Sequence, residues 1–325
     1  MITDPIVDVR DLRVEFRTAG RWAAAVDGLE LSLHPGRTLA VLGESGSGKS
    51  ATARAIMGVL PPLDARVSAG EVLINGEDLL RAEPDRQRQF RGPVLGMIFQ
   101  DALAALNPVL PVGYQITEGC RVHQGLSRRA ARARAIELLG QVGIPSPREQ
   151  VDRFPHQFSG GMRQRVMIAT ALALDPQVLI ADEPTTALDV TVQAQILDLL
   201  ASLQTERGMS LMLITHDLGV VAGMADDIIV MYAGRAAEWG TADEVFDAPA
   251  HPYTRALKSS IPSRAHRGST LPVITGQPPD LAALPTGCAF RTRCPRATGS
   301  CTTTPPEVEV IPGHRVACHH PEVGR

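Results

Sequence analysis

The stretch Gly43-Glu44-Ser45-Gly46-Ser47-Gly48-Lys49-Ser50 constrains this chain more than any other. It follows a short apolar run, Thr38-Leu39-Ala40-Val41-Leu42, and opens a helical pattern near Lys49. The apolar run reads as a parallel strand buried on both faces. Glycines in the loop let backbone N–H groups turn inward around an anion, which also meets the positive end of the helix dipole. In that frame Lys49 neutralises the β- and γ-phosphates and the Ser50 hydroxyl ligates Mg²⁺. Ala51 continues the helix behind them. Average composition produces such a pattern in about one chain of this length per hundred. Of the 32 basic residues only Lys49 and Lys258 are lysine, so a lysine at this position is not background. The loop predicts a nucleotide site in an α/β fold.

The rest of the chain agrees with that fold. Val7-Asp8-Val9, Leu12 to Phe16 and Leu29 to Leu33 alternate as strands do, and Val72-Leu73-Ile74 runs into the hairpin signal Asn75-Gly76. From about Asp101 to Phe158 the pattern is helical, clearest over Arg128 to Gly143, whose arginines read as a solvated face. Strands return at Val178–Ala181, Ser210–Ile214 and Asp227–Met231, with a long helix, Val190 to Glu206, between the first two. Alternation of this kind predicts a mostly parallel sheet with an inserted helical subdomain. The net charge of −3 argues against a nucleic-acid partner. No run approaches the roughly 18 apolar residues of a membrane span, and the start, Met1-Ile2-Thr3-Asp4-Pro5, is not a secretory signal. The expectation is a cytosolic chain.

Asp182-Glu183 closes one apolar strand at the carboxyl edge, where parallel sheets place ligands. There Asp182 would hold Mg²⁺ and Glu183 would orient or deprotonate the attacking water. His216 ends another strand in the same way. Phe158-Ser159-Gly160-Gly161-Met162-Arg163 is a second glycine-rich turn that opens a helix, again suited to an anion.

This set, in this order, resembles the nucleotide-binding subunit of an ABC transporter over residues 1 to about 245. The resemblance implies an ABC-type P-loop ATPase. It has a RecA-like core, an N-terminal antiparallel β subdomain, a helical subdomain at about 101–160 and a loop-rich C-terminal extension over 249–325. Ser159, Gly160, Gly161 and Met162 match the family's signature motif, Gln100 its Q-loop glutamine, Asp189 its D-loop aspartate and His216 its switch histidine. Phe16 sits where the family stacks an aromatic on adenine, with Trp22 a rival. Gln100, Ser50 and Asp182 would hold Mg²⁺. Glu183, His216 and Gln100 would carry the catalysis. The signature residues and Asp189 would complete the site of a second ATPase chain. The resemblance further implies two membrane-spanning permease subunits, contacted around Gln100 to Val112 and by the helical subdomain, and a place at the cytoplasmic face of the inner membrane.

The last third is similar to the extension of oligopeptide and dipeptide importer ATPases. His251-Pro252-Tyr253-Thr254, Gly276-Gln277-Pro278-Pro279, Leu284-Pro285-Thr286-Gly287-Cys288 and Arg293-Cys294-Pro295 carry the likeness. Met162 and Ser47 are similar to the D-type subunit, which pairs with a different, F-type ATPase; a second copy of this chain is the alternative. An extracytoplasmic peptide-binding protein would act indirectly. Nickel and glutathione importers share the subfamily, and a soluble ABC ATPase is the competing class. Cys288, Cys294, Cys301 and Cys318 follow a C-x5-C-x6-C-x16-C spacing. A structural zinc site favours a tighter pair, whereas wide loops suit an iron–sulfur cube. Zinc and free thiols stay open. The resemblance favours a 4Fe–4S cluster, and Cys120 is expected to pack in the helical subdomain.

Overall fold

The computed structural model describes residues 4–18, 20–186, 188–221, 223–261 and 272–322. Ala187 beside Asp189, Pro262 of the extension and the N-terminal Met1-Ile2-Thr3 lie outside them. By internal contacts the chain divides into two units. One takes Val7–Leu33, Arg37–Leu80 and Ile214–Arg325; the other takes Met1–Ile6, His34–Gly36 and Arg81–Leu213.

In the unit that carries the glycine-rich loop, β1 (Val7–Thr18) pairs antiparallel with β2 (Arg21–Leu33). The alternation suggested two strands at 7–9 and 12–16. The chain makes one, with a bulge at Asp11, where φ is 45° and the register slips. β3 (Thr38–Leu42) is buried at every position, as its continuous apolar run requires. β4 (Ala65–Ile74) pairs with the other edge of β1 and turns at Asn75-Gly76, both at positive φ, into β5 (Glu77–Asp78).

In the other unit, β6 (Leu95–Ile98) and β7 (Val178–Asp182) run parallel, with Leu95 opposite Val178. β8 (Ser210–Thr215) lies on the far side of β7, and every residue of these three strands is buried. Between β6 and β7 the chain is helical, with its longest helices at Arg128–Gln141 and Gly160–Ala171. Ser127 caps the first of these through Ala130 N–H. Its arginines face carboxylates at the surface, Arg134 meeting Asp175 and Glu137. Cys120 is buried, with Sγ 3.2 Å from the Ala173 carbonyl.

The chain then returns to the loop-bearing unit. β9 (Asp227–Tyr232) runs parallel to β3 and antiparallel to β10 (Arg235–Thr241). β11 (Glu307–Ile311) and β12 (His314–Ala317) form a hairpin, and β12 adds to the free edge of β10. Within the extension expected to be loop-rich, the chain forms this hairpin and the helix Pro252–Ser259. An aromatic cluster joins it to the sheet. The Tyr253 and Phe290 rings lie 4.7 and 5.2 Å from Tyr232, centroid to centroid. Each such pair adds about 0.5–1.5 kcal/mol beyond its buried area. The buried Glu238 carboxylate accepts the Ala250 and His251 N–H groups and meets the His314 ring, so no polar atom of that carboxylate is stranded.

Candidate nucleotide site

The loop Gly43–Ser50 leaves the end of β3 and enters the helix Lys49–Ile56, as its glycines and apolar lead-in require. Gly43 sits at φ 150°, and a Cβ there would stand 2.3 Å from the Met231 carbonyl oxygen. Gly48 is left-handed at φ 104°, where a Cβ would stand 2.4 Å from the Ala25 carbonyl oxygen. Neither position takes a side chain. Ser45 and Gly46 at the tip are exposed, whereas Ser47, Gly48, Lys49 and Ala51 are buried. The Lys49 ammonium donates to the carbonyls of Gly43 and Glu44 at 2.7 and 2.9 Å, so the loop curls around its own cation. Ser47 Oγ is buried and has no hydrogen-bond partner, a polar atom with its chemistry unspent. A glycine loop at a helix N-terminus, with one ammonium and an orphan hydroxyl, fits a phosphate chain.

The other unit carries an acidic pair at the end of β7. Asp182 is buried there, and Glu183 takes the next position at φ 47°. A non-glycine residue in the left-handed region costs about 1–3 kcal/mol and clusters at functional sites. Two donors hold its carboxylate: Gln100 Nε2 at 3.0 Å and the Thr186 hydroxyl at 2.8 Å, both on Oε2. Gln164, buried on the helix Gly160–Ala171, donates to the Pro184 carbonyl at 2.7 Å and pins the same turn. Ser159 caps the helix Gly160–Ala171 through Met162 N–H, and Ser159 and Gly160 face solvent. Asp189 is likewise an exposed cap, accepting from Val192 N–H on the helix Val190–Arg207. His216 is exposed just beyond β8. On β1, Phe16 is half-buried opposite Ala23 and Ala65, while Trp22 carries the Arg66 guanidinium 4.3 Å above its ring.

Residues 26–186 match the ABC transporter family, and residues 237–301 match the oligopeptide/dipeptide transporter C-terminal region. The chain is 48% identical over 316 residues to the dipeptide transport ATP-binding protein DppD of Bacillus subtilis, covering 97% of this chain and 94% of that one. The chain belongs to the ABC transporter ATPase family. A Brucella abortus protein named for peptide import ATP binding is 49% identical, over 97% of this chain and 95% of its own. Among solved structures, cbiO1 of Clostridium perfringens, part of an ABC transporter complex, is 29% identical with a TM-score of 0.64, over 76% of this chain and 92% of that one. An ATP-binding cassette in a dimeric post-hydrolysis state with ADP and Pi is 27% identical, also at 0.64, over 73% of this chain and 98% of that one. The ABC ATPase binds and hydrolyses ATP, and the α/β expectation holds.

In the ABC ATPase extension, Cys288, Cys294, Cys301 and Cys318 line one small pocket with about 10 Å³ of free space. His251, His319 and His320 share its wall. His320 Nε2 is 2.6 Å from the Thr298 hydroxyl and His319 Nε2 is 3.1 Å from the Thr303 carbonyl, so both rings have hydrogen-bond partners. Burial pushes the Cys288 and Cys294 thiols up and the Cys318 thiol up to about 11. Among the described residues no three His, Cys, Asp or Glu side chains are set around a single ion. No helix among them is long and apolar enough to cross a membrane.

Sequence reasoning gave no role at the site to Thr186, Gln164, Tyr253 or Arg293. Thr186 carried a usable signal, lying three residues after Glu183. Arg293 carried none: its partner, Glu44, is 249 positions away.

Proposed function

We propose that this ATPase powers the import of di- and oligopeptides by ATP-driven pairing with a second ATPase chain. Its relatives are named for dipeptide transport and peptide import, and its extension matches the peptide-transporter region. The observation that carries the chemistry is Glu183, strained at the end of β7 beside a buried Asp182 and held by Gln100 and Thr186. In this reading Gly43, Glu44, Ser45, Gly46, Ser47, Gly48 and Ala51 shape the phosphate cradle, and Lys49 offsets the β- and γ-phosphate charge. Phe16 packs on adenine. Ser50, Gln100 and Asp182 hold Mg²⁺, which supplies charge neutralisation when bound. Glu183 accepts the proton of the attacking water and His216 holds the γ-phosphate. Ser159, Gly160, Gly161, Met162 and Asp189 serve the nucleotide of the partner ATPase, an F-type chain; the outward-facing cap of the signature helix supports this. Two permease subunits then hold the chain at the cytoplasmic face of the membrane. Phe99, Leu103, Val109 and Tyr114 are exposed apolar residues suited to that contact.

The four cysteines are proposed to hold a 4Fe–4S cluster. The support is the donor set: four thiols on one pocket wall, no carboxylate among the lining residues, and Arg291 and Arg296 beside them to offset thiolate charge. Anaerobically purified protein should then contain about four irons and four sulfides per chain, lost in Cys294→Ser. Stoichiometric zinc would overturn the cluster and leave the ATPase intact. For transport, the chain is copurified with its permeases and partner ATPase in lipid vesicles, and ATP hydrolysis is followed with added peptide and binding protein. Peptide-dependent stimulation is expected. Copurification with ribosomes or DNA in place of polytopic membrane proteins would contradict it.

A further inference from the structure

We propose that Arg293 is a positioning residue for the nucleotide loop, through which the cysteine-bearing extension sets ATP affinity. The side chain is only 3% exposed, and a buried guanidinium stands or falls on its partners. All five of its N–H donors find one. Nη1 donates to Glu44 Oε2 and, at 3.3 Å, to the Tyr232 hydroxyl. Nη2 donates to Glu44 Oε1 at 3.0 Å and to the Ile274 carbonyl at 3.4 Å. Nε donates to the Thr275 carbonyl at 3.1 Å. The pair with Glu44 is therefore a two-pronged fork, the geometry that fixes a carboxylate in direction as well as distance.

Glu44 is the second residue of the phosphate loop, and its backbone is held as well. Its N–H donates to the Tyr253 hydroxyl at 2.8 Å, and its carbonyl accepts the Lys49 ammonium at 2.9 Å. A shift of Glu44 thus moves a carbonyl on which the phosphate-binding cation rests. Both outside holders come from the extension: Tyr253 opens the helix Pro252–Ser259, and Arg293 immediately precedes Cys294. A pair that merely fastened the tail would need no contact with the loop. Here the fastening point is the loop itself.

The inference rests on Gly43–Ser50 being the ATP site, and the test separates the two. ATP binding to the full-length chain is measured by calorimetry with Mg²⁺, well below the melting temperature of each variant. Arg293→Ala is expected to weaken ATP binding about tenfold, and Arg293→Lys to recover only part, because an ammonium cannot fork. Glu44→Gln should weaken binding comparably, and the double variant should lose no more than the worse single one. Wild-type affinity in a folded Arg293→Ala, or fully additive losses, overturns the proposal. Should Arg293→Ala fail to fold, Tyr253→Phe and Arg293→Lys carry the test, and wild-type affinity in both overturns it. A wild-type chain that binds no ATP sinks the ATP reading instead.

Discussion

Glu15, next to Phe16 on β1, lies between Arg13 of the same strand and Arg66 of β4. Hydrogen bonding to Arg66, then to Arg13, outweighs burial and holds its carboxyl below the usual 4.5. A folded-state value below the unfolded one contributes stability above about pH 4.5, lost as pH falls through the lowered value. Glu15→Gln should therefore lower stability by about 1 kcal/mol at pH 7, a figure already reduced because both arginines are well exposed. The deficit should shrink below pH 4.5. Urea melts of both proteins across pH 3–7 check it, and a pH-independent deficit would show that packing, not charge, is what Glu15 supplies. The expectations for Lys49 and Glu183 could be drawn from the sequence because they are local: each residue follows an apolar strand within one motif. None could be drawn for Glu15, since its partner Arg66 lies 51 positions on.

At the scale of elements, each unit carries a left-handed backbone position among the proposed site residues, Gly48 at the N-cap of the helix Lys49–Ile56 and Glu183 at the end of β7. Gly48→Ala puts a Cβ against the Ala25 carbonyl at a φ that L-residues avoid. A cost of about 1–3 kcal/mol follows from the backbone alone. The loop should relieve it by shifting, so ATP affinity should drop more than about tenfold, with a small fall in melting temperature. Calorimetry and a thermal melt on one sample check this; unchanged affinity would mean that the loop tolerates a different path. Strands with continuous apolar runs, β3, β7 and β8, were read from the sequence nearly to the residue, because burial on both faces leaves a plain signature. β6 was missed because its buried run is only four residues long and contains Gly96. β10, β11 and β12 were missed as well. Their residues are mixed, and what makes them strands is pairing with one another rather than a pattern in each. The bulge at Asp11 was missed for the same reason.

At the scale of the whole molecule, the chain is an ABC ATPase with the peptide-transporter extension. The motifs named the family because they recur in fixed order along the chain. The extension's role was harder to see, since the Tyr232–Tyr253–Phe290 cluster and the Arg293–Glu44 fork bring together residues far apart in sequence. Glu183 as the base for hydrolysis is the central claim. The measurement that tests it is ATP turnover by the assembled transporter carrying Glu183→Gln, with ATP affinity determined on the same sample. The account predicts turnover at least about a hundredfold lower, at an affinity within about twofold of wild type. Wild-type turnover in that variant would contradict it.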